Sequence, residues 1–180
     1  EIYTLSLHDA LPISCYDDYV DALCREMQMR PTKAALGSDD TIETIYLGGG
    51  TPSQLNGSQL SQIFSAIRKN YTLADNMEIT MECNPDDVTE HFCETLKQLP
   101  VNRISMGAQT FSNERLRFLH RRHNAEEVEE AVTRLRNIGI RNISIDLMFG
   151  FPEESLSQWM SDIRHAIQLD VEHISAYSLM

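Results

Sequence analysis

The residues able to do chemistry in this sequence stand at or just past the ends of β-like runs. Gly48-Gly49-Gly50-Thr51-Pro52 is the loudest of them, because consecutive glycines let the backbone approach a ligand and aim N–H groups at it. Two glycines would suffice for a tight strand-to-helix connection, so the third favours a loop that faces a ligand. It is not a phosphate P-loop, which needs a G-x-x-x-x-G-K-[ST] pattern, and no lysine follows these glycines. Glu82 precedes Cys83-Asn84-Pro85, where a carboxylate can accept hydrogen bonds from an amine or from ribose hydroxyls, or close a salt bridge at the rim. Gln109 offers an amide with donors and acceptors suited to a polar small molecule, and a turn-stabilising role competes. Asp146 lies inside the apolar run Ile143-Ser-Ile-Asp-Leu-Met148, where a carboxylate is costly to bury without a partner, and is the strongest single candidate.

Arg121, in Leu119-His-Arg-Arg-His123, can clamp a carboxylate in bidentate fashion, and Arg122 competes for that role. His120 and His123 share an i,i+3 spacing compatible with a metal pair, but a solvated helix face is the expectation for both. Glu126, Glu127, Glu129 and Glu130 read as the acidic outer face of a helix, and Trp159 as core.

These positions follow from the elements around them. Tyr16, Tyr19, Val20, Leu23 and Met27 recur at three and four, which predicts a helix from Tyr16 to Arg30 that Pro31 stops. Strands are expected over Ile42–Leu47, Met77–Cys83, Asn102–Met106, Asn142–Leu147 and His173–Tyr177. Helices are expected between them: one capped by Ser58, then Thr89–Leu99, Asn113–His120, Asn124–Ile138 and Ser155–Leu169. A regular alternation of strands and helices demands an α/β fold with a parallel sheet, either doubly wound or rolled into a barrel; a barrel is favoured, since barrels gather active-site groups from the loops after their strands.

The 180 residues suffice for one core. No apolar run approaches the eighteen or so residues of a membrane span. With 15 basic against 27 acidic residues, the net charge of -12 argues against nucleic acid as the default partner. The four cysteines form no C-x-x-C pair and read as reduced thiols of a cytoplasmic protein.

The first thirteen residues, Glu1 to Ile13, back-translate onto one reading frame of a widely used short-read sequencing adapter. They are expected to stay out of the fold, leaving residues 14–180 as a gene fragment that carries the functional core.

Taken together, Tyr46-Leu-Gly-Gly-Gly-Thr-Pro-Ser53, Glu82-Cys-Asn-Pro85, Asn102-Arg-Ile-Ser-Met-Gly-Ala-Gln-Thr-Phe111, Leu119-His-Arg-Arg-His123 and Asp146-Leu-Met-Phe-Gly-Phe-Pro152 resemble one family. It is the radical S-adenosylmethionine family of oxygen-independent coproporphyrinogen III oxidase-like proteins. Ser53 after Pro52 and Phe111 after Gln-Thr look more like its haem-chaperone branch than its oxidase branch.

The resemblance implies a partial (β/α)6 barrel, of which this chain would hold strands two to six. It also implies a [4Fe–4S] cluster bound through C-x3-C-x2-C after the first strand, a motif this sequence lacks, so Cys15, Cys24, Cys83 and Cys93 are not expected as ligands and no metal or catalytic residue is assigned. Gly49, Gly50 and Thr51 look like the loop that meets the methionine moiety of S-adenosylmethionine, with Gly48 supporting its turn. Glu82, Gln109, Arg121 and Asp146 resemble the remaining polar contacts, and Met180 stands where a contact would be through backbone.

Two functions follow for an intact relative: loading haem onto acceptor proteins, or oxidative decarboxylation of coproporphyrinogen III propionates to vinyl groups. A generic sugar-phosphate enzyme is a third reading, but it needs a phosphate loop that is not seen. The chain itself is expected to bind no cluster and to be catalytically silent.

Overall fold

The computed structural model describes residues 4, 5, 15–29 and 41–179. Its elements in chain order are β1 (Thr4–Leu5), α1 (Tyr16–Met29), β2 (Ile42–Leu47), α2 (Gly57–Asn70), β3 (Leu73–Cys83), α3 (Glu90–Leu96), β4 (Arg103–Gln109), α4 (Asn113–Phe118), α5 (Ala125–Asn137), β5 (Asn142–Phe149), α6 (Leu156–Gln168) and β6 (His173–Ser178). The six strands are all parallel and lie side by side in chain order, with β1 and β6 at the two edges. The sheet therefore curls without closing: an α/β half-barrel of the partial (β/α)6 kind.

Side chains alternate along every strand, and here the alternation divides the two faces by chemistry. On the convex side Leu47, Ile79, Met81, Ile104, Met106, Ile143, Ile145 and Leu147 are buried. Leu60, Ile63, Phe64 and Ile67 of α2, and Val128, Ala131, Val132 and Leu135 of α5, belong to the same core. On the concave side the intervening positions are Tyr46, Thr80, Glu82, Arg103, Ser105, Gly107, Ser144, Asp146, His173 and Ser175. The register sets Glu82 beside Ser105, Ser105 beside Ser144, and Ser144 beside His173.

The helices start where side chains satisfy their orphan N–H groups. Asn56 with Gln59, Asn124 with Glu127 and Ser155 with Gln158 each form a capping box. Asn56, and not Ser58, is therefore the cap of α2, and Ser58 sits inside its first turn. The helix expected to reach Leu99 ends at Leu96. β3 starts at Leu73, four residues before the expected Met77, and β4 and β5 run on to Gln109 and Phe149. Trp159 is half-buried at the border of the core, against Phe149 at 5.3 Å between ring centroids.

Thr4 and Leu5 pair parallel with Tyr46 and Leu47. This corrects the expectation that the opening segment stays out of the sheet: the N–H and C=O row on that edge of β2 is a template that even two extended residues can satisfy. Arg30, Pro31 and Met180 lie outside the described residues.

Candidate functional site: a polar rim at the strand ends

Glu82 ends the polar face of β3, and both of its carboxylate oxygens are engaged. The Tyr46 hydroxyl donates to Oε1 at 2.7 Å, and the Gly49 N–H donates to Oε2 at 2.9 Å. Glu82 thus pins the glycine loop to the neighbouring strand. Gly48 must be glycine for this contact, since a Cβ there would collide with the Tyr46 ring and the Glu82 carboxyl group. Gly49 adopts φ 83°, the left-handed region that glycine enters without steric cost. Burial, reinforced by the Glu82 carboxylate, pushes the Tyr46 hydroxyl well above its ordinary pKa.

Asp146 stands on the same concave face, one strand beyond β4. Ser105 Oγ approaches its Oδ2 at 3.4 Å. Burial raises its pKa, the nearby Glu82 charge adds to the rise, and hydrogen bonds from Ser175 and Ser105 oppose it. The Arg121 guanidinium reaches the rim from the segment after α4. Its Nη2 donates to Asn84 Oδ1 at 2.5 Å and to the Gly107 carbonyl at 3.3 Å. A Cβ on Gly107 would lie 2.8 Å from the Gln109 side-chain nitrogen and 3.3 Å from Arg121 Nη2, so this glycine clears space for both groups.

Gln109 has φ 68°, unusual for a residue with a side chain, and the register slips between Met106 and Gln109. The segment behind it is held firmly: buried Asp162 of α6 accepts from Thr110 Oγ1 at 2.7 Å and from the Phe111 N–H at 3.1 Å. A left-handed residue followed by a clamped loop aims the Gln109 amide into the rim.

These groups surround a cavity of about 510 Å³, lined by Gly50, Thr51, Glu82, Gln109, Arg121 and Asp146 among others. That volume falls within the usual range for small-molecule sites, roughly 300–1,000 Å³. Gly49, next to the lining residue Gly50, is exposed and donates its N–H to Glu82. His123 is a correction. It is buried, with Nε2 3.2 Å from the Ala108 carbonyl and Nδ1 4.0 Å from Asp86, while His120 is exposed as expected. The backbone turn after α4 folds the His123 ring inward, and burial lowers its pKa. Sequence reasoning also missed Tyr46, Asn84, Ser105 and Asp87; their alternation with apolar neighbours was the available signal for the two that lie on strands.

The four cysteines do not converge. Cys24, Cys83 and Cys93 are buried on α1, β3 and α3, and burial raises all three thiol pKa values. Among the described residues no group of three His, Cys, Asp or Glu side chains could hold a metal ion. The described side chains therefore do not fit an iron–sulfur cluster, whereas the rim brings together two carboxylates, an amide, a guanidinium and the backbone of the glycine loop. No helix among the described residues is long and apolar enough to cross a membrane.

A half-barrel of parallel strands with its polar residues gathered at one rim defines a class of protein, and the family comparison agrees: residues 31–166 match the radical SAM superfamily, to which this chain belongs. Its curated relatives include the heme chaperone HemW of Escherichia coli strain K12, 37% identical over 164 residues, and that of Bacillus subtilis strain 168, 39% identical over 165 residues. Each alignment takes in 91% of this chain and 43% of the relative, so the chain spans less than half the length of the proteins it matches. Among solved structures, the coproporphyrinogen III oxidase HemN of Escherichia coli, described as a radical SAM enzyme, superposes with a TM-score of 0.84 at 25% identity, over 99% of this chain and 43% of that one. An archaeal Elp3 from Methanocaldococcus infernus shares the fold at a TM-score of 0.73 and 16% identity, over 99% and 45% of the two chains.

Proposed function

We propose that this chain is the S-adenosylmethionine-binding part of a haem-chaperone-like radical SAM protein. The carrying observation is that one cavity collects side chains or backbone from the loop after β2, the ends of β3, β4 and β5, and the segment after α4. In this reading Gly49, Gly50 and Thr51 form the loop against the methionine moiety. Arg121 faces its carboxylate, and Glu82, Gln109 and Asp146 take its amino group and ribose hydroxyls. A carboxylate accepts about four hydrogen bonds, so Glu82 retains capacity after serving Tyr46 and Gly49. In a family of this kind a bound [4Fe–4S] cluster would supply the electron that cleaves the sulfonium; the described cysteines form no converging set to hold it, and no cleavage is assigned to this chain.

The partner favoured for the whole protein is haem, on the strength of the chaperone relatives. A second reading, oxidative decarboxylation of coproporphyrinogen III, draws on the superposition with the oxidase. Calorimetric titration of the chain with S-adenosylmethionine tests the first claim, with saturable one-to-one binding expected. Titrating the whole protein with haem and following its Soret band separates the two partners: stable haem binding without vinyl formation favours the chaperone, and conversion of coproporphyrinogen III favours the oxidase. The origin of residues 1–13 in a sequencing adapter is also a proposal, tested by reading the genomic sequence upstream of the Cys15 codon.

A further inference from the structure

One largely buried carboxylate joins three of the rim segments, the loop after β2, the turn after β3 and the segment after α4, without lining the cavity. Asp87 closes the short turn Pro85–Asp87 after β3, and its side chain is 9% exposed. Its Oδ2 accepts from Ser53 Oγ at 2.7 Å and from Asn84 Nδ2 at 3.4 Å. Its Oδ1 accepts from Gln54 Nε2 at 2.6 Å and from Arg122 Nη2 at 3.1 Å. Ser53 and Gln54 follow directly on the glycine loop, in the turn Pro52–Gln54. Asn84 passes the connection on, because its Oδ1 receives Arg121 Nη2. Arg122 is the chain neighbour of Arg121, and Asp86 holds the same guanidinium at 2.8 Å.

We propose that Asp87 is the positioning residue that sets the spacing between the glycine loop and Arg121, and thereby the width of the ligand cleft. The glycine loop is anchored at both ends: Glu82 holds Gly49, and Asp87 holds the turn beyond Thr51. Without Asp87 the loop keeps its first anchor and loses its second. Four donors converge on this one side chain, and only a carboxylate can receive them all; an amide of the same shape would replace one acceptor with a donor facing donors. Charge-assisted bonds of this kind are the strong ones, and groups that orient direct ligands typically cost on the order of tenfold to a hundredfold when removed, as measured at metal sites.

The proposal rests on the function proposed above only for its affinity arm, so the test has two readouts. The isosteric variant Asp87→Asn, with Ser53→Ala as a milder one, is compared with the unaltered chain by titration with S-adenosylmethionine and by the amide resonances of ¹⁵N-glycine-labelled protein. Asp87→Asn should weaken binding about tenfold or more and shift the Gly49 and Gly50 amides, leaving Gly139, beyond the end of α5, in place. Adding Ser53→Ala to Asp87→Asn should cost less than Ser53→Ala costs alone, since groups acting through one another are not additive. Unchanged affinity and unchanged glycine amides in Asp87→Asn would overturn the proposal. If the unaltered chain does not bind S-adenosylmethionine, the ligand assignment fails by itself, and the glycine amides still decide whether Asp87 positions the loop. Should Asp87→Asn fail to fold, Ser53→Ala decides the question through the same two readouts: both move if the tether is real, and neither moves if it is not.

Discussion

The two faces of this sheet are made from the same strands and do different work. Ile143, Ile145 and Leu147 point into the helix layer and are fully buried, while Ser144 and Asp146 between them point into the concave face. The convex face follows the ordinary rule for parallel sheets, which bury apolar residues under crossover helices. The concave face departs from it. Thr80, Ser105 and Ser144 are buried polar groups, and each finds a partner: Arg103 donates to Thr80 at 3.3 Å, Ser105 reaches Asp146, and Ser144 meets His173 Nδ1 at 2.9 Å. In a closed barrel the interior is packed with branched apolar side chains. Here the sheet stays open and its concave face stays polar, so apolar burial is concentrated on one face and, in the function proposed above, recognition on the other.

Substitutions on each face in turn should separate the two roles. Ile145→Ala should destabilise the chain by about 3 kcal/mol, the usual range for emptying a buried Ile, Leu or Met site. Urea unfolding would show it, with binding at the rim unchanged under native conditions. Gly107→Ala should do the opposite. Its new methyl group displaces Gln109 and Arg121, whose flexible ends can yield, so stability holds while S-adenosylmethionine affinity falls about tenfold, or roughly 1.4 kcal/mol. Ser144→Ala is smaller still, about 1 kcal/mol of stability for the hydrogen bond to His173, read by the same unfolding experiment.

The least of the effects is a pH dependence at His123. Its folded pKa lies below the ordinary 6.5 because burial disfavours the imidazolium. The unfolded chain therefore binds the proton first as pH falls, so stability rises with pH between the depressed value and about 6.5 and is lost below it. Thermal unfolding across that window should show the loss, and His123→Gln should flatten it.

Much of the fold is legible in the sequence because it is local. Apolar spacing and caps locate the described α-helices, β-branched runs locate the strands from β2 to β6, and a carboxylate inside Ile143–Met148 marks the rim. What escapes is set by distant partners. Ser53 and Asp87 meet across 34 positions, and Tyr46 and Glu82 across 36. Nothing in either neighbourhood announces the other. His123 reads as a surface residue until the turn after α4 carries it under the Ala108 carbonyl. Gln109 reads as a loop residue because a strand ending in a left-handed step looks, in sequence, like a strand already over. The capping error at α2 has a simpler cause: Asn56 and Ser58 are both good caps, and only the reciprocal bond from Gln59 distinguishes them.

The division of labour between the faces is tested most directly by two adjacent residues. Ile145 and Asp146 are neighbours in β5 that point to opposite sides of the sheet, so calorimetric titration of S-adenosylmethionine into Ile145→Ala and Asp146→Ala isolates the face from the strand. Asp146→Ala should fold with near-native stability and lose affinity about tenfold or more, while Ile145→Ala should melt earlier yet bind with unchanged affinity at a temperature where it remains folded. Equal affinities for Asp146→Ala and the unaltered chain, or no binding by either, would contradict the assignment of the concave rim to the cofactor.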